Sequence, residues 1–84
     1  MAFQTSSYYP NTGGFTVLAT ASAVNGTNTA FVFSTATAKP SYVVSDDAWY
    51  TPTDNNGNTQ WTWNSGTKTI TMVIPPTTSI FAVV

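Results

Sequence analysis

The chain has 84 residues, two basic and three acidic side chains, a formal net charge of -1, and neither cysteine nor histidine. A chain this short makes one small domain, near the size at which a lone core is only marginally stabilising, and neither a disulfide nor a histidine-bearing metal site can staple it. Charged residues are 6% of the chain against about 25% in ordinary domains, so the basic footprint that binds nucleic-acid phosphates is missing and the surface must be mostly Thr, Ser, Asn and Gln.

The opening stretch, MAFQTSSYYPNTGG, has no basic start and no apolar run of signal-peptide length. No later stretch nears the roughly 20 apolar residues of a membrane helix, so the expectation is a protein made in the cytoplasm and kept there unless a larger assembly carries it out. Residues 1–14 lack a strand period and end in Asn11-Thr12-Gly13-Gly14, which is hinge composition. They read either as a loose end with an early edge strand or as an arm laid on a neighbouring subunit. In the second reading Phe3, Tyr8, Tyr9 and Pro10 are its anchors, because tyrosine offers large amphipathic contact area at low entropic cost.

From residue 15 onward the chain reads as short strands closely punctuated by turns. Phe15, Val17, Ala19, Ala21 and Ala23 alternate with Thr16, Leu18, Thr20 and Ser22, which predicts a strand with one small apolar face. Asn25-Gly26 is a strong two-residue hairpin signal, and Thr29–Thr35 answers with Phe31 and Phe33 on one face. The expected first hairpin thus packs phenylalanines beside alanines. Asn25-Gly26-Thr27 also fits the glycosylation pattern, but without a signal peptide it reads as a turn. Lys39-Pro40 excludes helix, Ser41–Ser45 is a third strand, Asp46-Asp47 a tight turn, and Ala48–Thr51 a fourth strand that Pro52 ends or places at an edge.

Residues 54–58, Asp-Asn-Asn-Gly-Asn, are turn chemistry throughout. Trp61 and Trp63 then leave one face of a strand while Gln60 and Thr62 leave the other. After the turn Asn64-Ser65-Gly66-Thr67, Ile70, Met72 and Ile74 alternate with Thr69, Thr71 and Val73, so the return strand has one apolar face and one threonine face. Pro75-Pro76 halts pairing, and Ile80-Phe81-Ala82-Val83-Val84 is an apolar strand that must be buried in its own core or in a neighbour's. Ile80, Phe81, Val83 and Val84 therefore join the arm as candidate subunit-interface residues. About seven strands without a helical period predict an all-β fold, a small antiparallel β-sandwich or barrel of the jelly-roll or immunoglobulin-like kind. The expected organisation is an extended N-terminal arm over 1–14 and a β-domain over 15–84.

Chemistry is sparse. Asp46, Asp47 and Asp54 are the only acids. A glycosidase needs two carboxylates at roughly 5 to 9 Å, whereas adjacent Asp46 and Asp47 leave opposite faces and suit a turn. The residue 54–58 loop resembles a calcium loop, but its glycine comes too early and no glutamate closes it. Without histidine no serine or threonine has a base, and Lys39 and Lys68 read as strand or loop ends. No catalytic residue, cofactor or metal is expected, and the chain is read as no enzyme. Binding does have parts: Trp49, Tyr50, Trp61 and Trp63 lie on neighbouring β segments and could form an aromatic platform for sugar rings. Against this, a domain this small needs its tryptophans as core, expected for at least two of them, with Tyr50 the aromatic expected at the surface because Trp49 takes the opposite face. Two lysines cannot guard several strand edges, so those edges must close on one another or be covered by other protein.

The runs Val24-Asn25-Gly26-Thr27-Asn28-Thr29-Ala30-Phe31-Val32-Phe33 and Pro40-Ser41-Tyr42-Val43-Val44-Ser45-Asp46, then Trp49-Tyr50, Trp61-Thr62-Trp63 and Ile74-Pro75-Pro76 to Ile80-Phe81, resemble small β-domains of tailed-bacteriophage structural proteins. Such domains occur at fibre tips and as short proteins that decorate heads. The resemblance covers residues 24–84 and leaves the arm outside. It implies a non-enzymatic virion component, often a homotrimer, whose partner is the major capsid protein or another virion protein. The absence of an upstream fibre shaft favours a capsid decoration, or cement, protein. A receptor- or glycan-binding module at the virion surface is the alternative, and an adhesive fibre-forming subunit a third possibility against which the turns and prolines argue.

Overall fold

The computed structural model describes residues 16–84; the arm positions Phe3, Tyr8, Tyr9 and Pro10, and also Phe15, lie outside the described residues. Seven strands run through those residues: β1 (Val17–Ala19), β2 (Ala30–Val32), β3 (Tyr42–Ser45), β4 (Ala48–Tyr50), β5 (Trp61–Asn64), β6 (Thr69–Met72) and β7 (Ile80–Val83). All pair antiparallel, in one sheet of order β1-β7-β3-β4 and a second of order β2-β6-β5. The core lies between them. Val43, Ile80 and Ala82 come from the first sheet, Phe31, Trp61, Ile70 and Met72 from the second, and Phe33 and Ala36 from the connection after β2. The protein is an all-β sandwich.

Two hairpins form where turn chemistry demands them. Asp46 and Asp47 both take left-handed backbone, with φ of 51° and 65°, which matches the twist of the flanking strands and is tolerated by the short aspartate side chain. Ser45 therefore opposes Ala48. In the β5–β6 hairpin the Asn64 side chain accepts from the backbone N–H groups of Gly66 and Thr67 at 2.9 and 3.2 Å. Its positive φ falls on Lys68, at 54°. Trp61 and Trp63 face Met72 and Ile70 across this hairpin, with Trp61 in the core and Trp63 packed against it. The expected return strand stops at Met72, so Val73 and Ile74 are each 61% exposed.

The expected first hairpin does not form. β1 pairs with β7 and β2 with β6, so the two segments joined by Asn25-Gly26 belong to different sheets. Side chains intervene: Thr20 Oγ1 donates to the Val32 carbonyl at 2.6 Å, and the Val32 N–H donates to Ser22 Oγ at 3.1 Å. These two hydroxyls take the place of a backbone ladder along β2. The buried face is also the opposite of the one expected. Leu18, Thr20, Ser22 and Val24 are half-buried while Val17, Ala19, Ala21 and Ala23 are exposed. The inward hydroxyls find partners, and Leu18 and Val24 carry more apolar surface than the alanines. Asn25 remains a turn residue, its Oδ1 accepting from the N–H groups of Thr27 and Asn28.

Phe31 is fully buried between the sheets, so Phe31→Ala should lower unfolding free energy by about 3–5 kcal/mol. Thr62→Ala, on an exposed threonine row, should stay within about 0.5 kcal/mol. Urea unfolding followed by tryptophan emission measures both, and equal losses would contradict this placement of the core.

Candidate functional site

The two sheets differ in what they show to water. Because side chains alternate along a strand and registers align them across strands, the outward rows can be read from the pairings. On the three-stranded sheet one row is Ala30, Thr71, Thr62 and the other Val32, Thr69, Asn64. On the four-stranded sheet one row is Ala19, Phe81, Val44, Trp49, and the other is Val17, Val83, Tyr42, in which Val83 is itself buried between its neighbours' rows. The first face is mostly threonine and asparagine. The second is apolar and aromatic, without a charge. Trp49 is 66% exposed, Val17 60% and Phe81 39%. Tyr42 and Trp49 stand side by side, ring centroids 4.6 Å apart and planes tilted by 51°.

The two-residue turn decides which aromatic is outside. With Ser45 opposite Ala48, Trp49 opposes Val44 and Tyr50 opposes inward-facing Val43. Tyr50 accordingly packs against the core, and the expectation that it would be the exposed aromatic is corrected. Trp61 is buried, its Nε1 donating to the Tyr50 carbonyl across the sandwich at 2.7 Å and the Lys39 ammonium lying 5.8 Å from its ring centroid. Trp49, Tyr50, Trp61 and Trp63 are thus not brought together as one exposed platform; only Trp49 among them is largely open to water. The last strand divides likewise. Ile80 is in the core and Val83 is buried, so neither offers a free subunit interface, while Phe81 and Val84 remain at the surface.

Val17, Tyr42 and Val44 belong to this face and were not among the residues singled out from sequence. Their signal is the lack of alternation in Tyr42-Val43-Val44 and in Ile80-Phe81-Ala82-Val83, since a strand apolar on both sides is one covered on both sides.

The acids are structural. Asp46 accepts from five donors: the N–H and hydroxyl of Thr77, the N–H and hydroxyl of Thr78, and the N–H of Ser79, at 2.7 to 3.2 Å. The Thr77 and Thr78 amides foremost hold its carboxyl far below the usual carboxylate range. Asp54 turns its carboxylate onto its own loop, with Oδ1 accepting from the N–H groups of Asn56 and Asn58 at 2.8 and 2.9 Å. The Asn58 amide is the main cause of its lowered pKa. Beside it is a cleft of about 140 Å³ between Tyr50, Asp54, Gln60, Met72 and Ile74. Among the described residues no cluster of three or more potential metal ligands occurs, and there is no helix long and apolar enough to cross a membrane.

No family model matches the chain, and neither a curated protein nor a solved structure does so.

Asp46 gives a pH dependence of known sign. Its pKa is depressed in the folded state, so its contribution is complete above the unfolded value of about 3.9 and is lost as pH falls below it. Thermal unfolding by circular dichroism should show a Tm nearly flat from about pH 7 to 5 and falling below about pH 4. Asp46→Asn should lower Tm at neutral pH and flatten the acid limb. An unchanged acid limb in that variant would remove Asp46 as its source.

Proposed function

We propose that this protein is a non-enzymatic structural subunit that docks onto other protein through the outer face of its four-stranded sheet. The carrying observation is the contrast between the two outer faces. A monomer in water exposes scattered apolar residues but rarely a contiguous apolar face, and such a face marks an interaction surface. Here Val17, Phe81, Val44, Tyr42 and Trp49 lie in registered rows. All five charged side chains, Lys39, Asp46, Asp47, Asp54 and Lys68, sit in turns and connections outside every strand. A partner recognised by such a face is apolar protein rather than a polyanion.

The finer reading rests on the resemblance to tailed-bacteriophage β-domains: a virion decoration, or cement, protein that binds the assembled shell as a homotrimer and bridges subunits of the major capsid protein. Its place would be the virion, after synthesis in the host cytoplasm. Exposed Trp49 beside Tyr42 supports the second reading, a receptor- or glycan-binding module, since a tilted aromatic pair also stacks on sugar rings.

Trp49→Asp and Phe81→Asp should each weaken binding to shells assembled without this subunit by about a hundredfold, with little change in Tm, and shells carrying either variant should lose the heat resistance that the wild type confers. Undiminished binding by both would sink the docking face. Retained shell binding together with loss of signal on a glycan array would move the function to the second reading.

A further inference from the structure

We propose that the cleft beside Asp54 is a pocket for one lysine side chain of a partner protein, with the stem against Met72 and Ile74 and the ammonium on the Asp54 carboxylate. This goes beyond the docking face and does not rest on it, since the cleft is walled by inward Tyr50 and the face by outward Trp49. The cleft lies where strands run out. Tyr50 is the last residue of β4, Met72 the last of β6, and Gln60 directly precedes β5. Its volume of about 140 Å³ admits one side chain: a cavity near 150 Å³ holds a benzene-sized group, whereas drug-sized ligands take roughly 300 to 1,000 Å³. Its walls are of two kinds, apolar at Tyr50, Met72 and Ile74 and polar at Asp54 and Gln60. An apolar wall with one anionic corner calls for an aliphatic stem that ends in a cation.

Asp54 is prepared for that cation by its own loop. The Asp54 N–H donates to the Asn58 carbonyl at 2.9 Å and the Gly57 N–H to the Asp54 carbonyl at 3.0 Å, with Gly57 in left-handed backbone at a φ of 82°, so the carboxylate is placed before any ligand arrives. The loop amides also keep it ionised. Oδ1 is taken by the Asn56 and Asn58 N–H groups, whereas Oδ2 accepts, among the described residues, from the Asn58 side chain alone, at 3.3 Å. One available oxygen suits an ammonium, a point charge, better than a guanidinium, whose fork engages both. Gln60 adds an acceptor, since its Nε2 donates to the Thr51 carbonyl at 3.0 Å and its amide oxygen is left to accept. The lysine belongs to another protein. This chain's own two are engaged, Lys39 over the Trp61 ring at 5.8 Å and Lys68 on the Ser34 carbonyl at 3.3 Å, which argues against a second copy. At the rim Val73 and Ile74 are each 61% exposed, an apolar shelf that a peptide covers and a small free amine does not.

Amide shifts of the full chain, followed by NMR, test this with the blocked tripeptide acetyl-Val-Lys-Leu-amide as probe. It should give saturable shifts centred on Asp54, Gln60 and Ile74. Replacing its lysine by norleucine, which keeps the stem and drops the charge, should weaken binding about tenfold or more. Asp54→Asn retains Oδ1 for the loop amides and removes the charge; it should weaken the lysine peptide by the same factor and leave the norleucine peptide unchanged. No saturable shift at the cleft, or equal binding of the two peptides, overturns the proposal, and both are read on the unaltered protein whatever the fold of Asp54→Asn. n-Butylammonium should bind about tenfold or more weaker than the lysine peptide for want of contact with the shelf; equal binding overturns the protein source and assigns the cleft to a free amine. Trp49→Asp and Phe81→Asp should leave the peptide affinity unchanged, and a loss there overturns the pocket by placing the peptide on the docking face.

Discussion

One carboxylate holds the four-stranded sheet together. β7 is the last strand in the chain yet lies at the sheet's centre, between β1 and β3, so both of its neighbours depend on its arriving in the right register. The turn that launches it, Thr77 to Ser79, is bound to Asp46 through five donors, and the Asp46 N–H returns a bond to the Ser79 carbonyl at 3.1 Å. Asp46 is also the first central residue of the β3–β4 turn. The left-handed backbone that closes that hairpin therefore also aims the carboxylate at the next turn, fixing Ser45 opposite Ile80. A third segment joins at the same place, for the Gly26 N–H donates to the Pro76 carbonyl at 2.9 Å. Charge-assisted bonds of this kind are the strong ones, and in a chain with so few charges this carboxylate has no rival for its donors.

The fold's legibility follows from where its information lies. The Trp61–Met72 hairpin was readable because alternation and turn residues are local, and the β3–β4 hairpin because Asp-Asp tolerates the backbone it needs. Pro52 correctly marked an edge, since β4 ends its sheet. The 15–35 region misled because Asn25-Gly26 specifies a turn but not what pairs on either side of it. Leu18, Thr20, Ser22 and Val24 present an alternation as regular as that of Val17 to Ala23, and the choice between the faces was made by Val32, whose backbone the Thr20 and Ser22 hydroxyls bind. That partner is 10 to 12 residues away and carries no sequence signal.

The candidate site was half legible for a related reason. Phe81 and Val84 were singled out with Ile80 and Val83 because the whole run is apolar, but no pattern within the run separates core from surface when both faces are apolar. Trp49 and Tyr50 were seen as a pair on opposite faces. Which one is inward depends on the register fixed by Asp46-Asp47, and thus on φ values that sequence implies only through turn type.

The apolar outer face is not a by-product of making strands. Threonine fits a pleated, half-exposed strand as well as valine does, and the three-stranded sheet uses it outward at Thr62, Thr69 and Thr71. The same solution was open at Val17, Val44 and Phe81. Placing valine and phenylalanine there instead adds nothing to the ladder and leaves apolar area in water unless something covers it. A small domain with no cysteine to cross-link it gains stability in proportion to how fully a partner is bound, so the apolar area left open on that face is where such a gain is available.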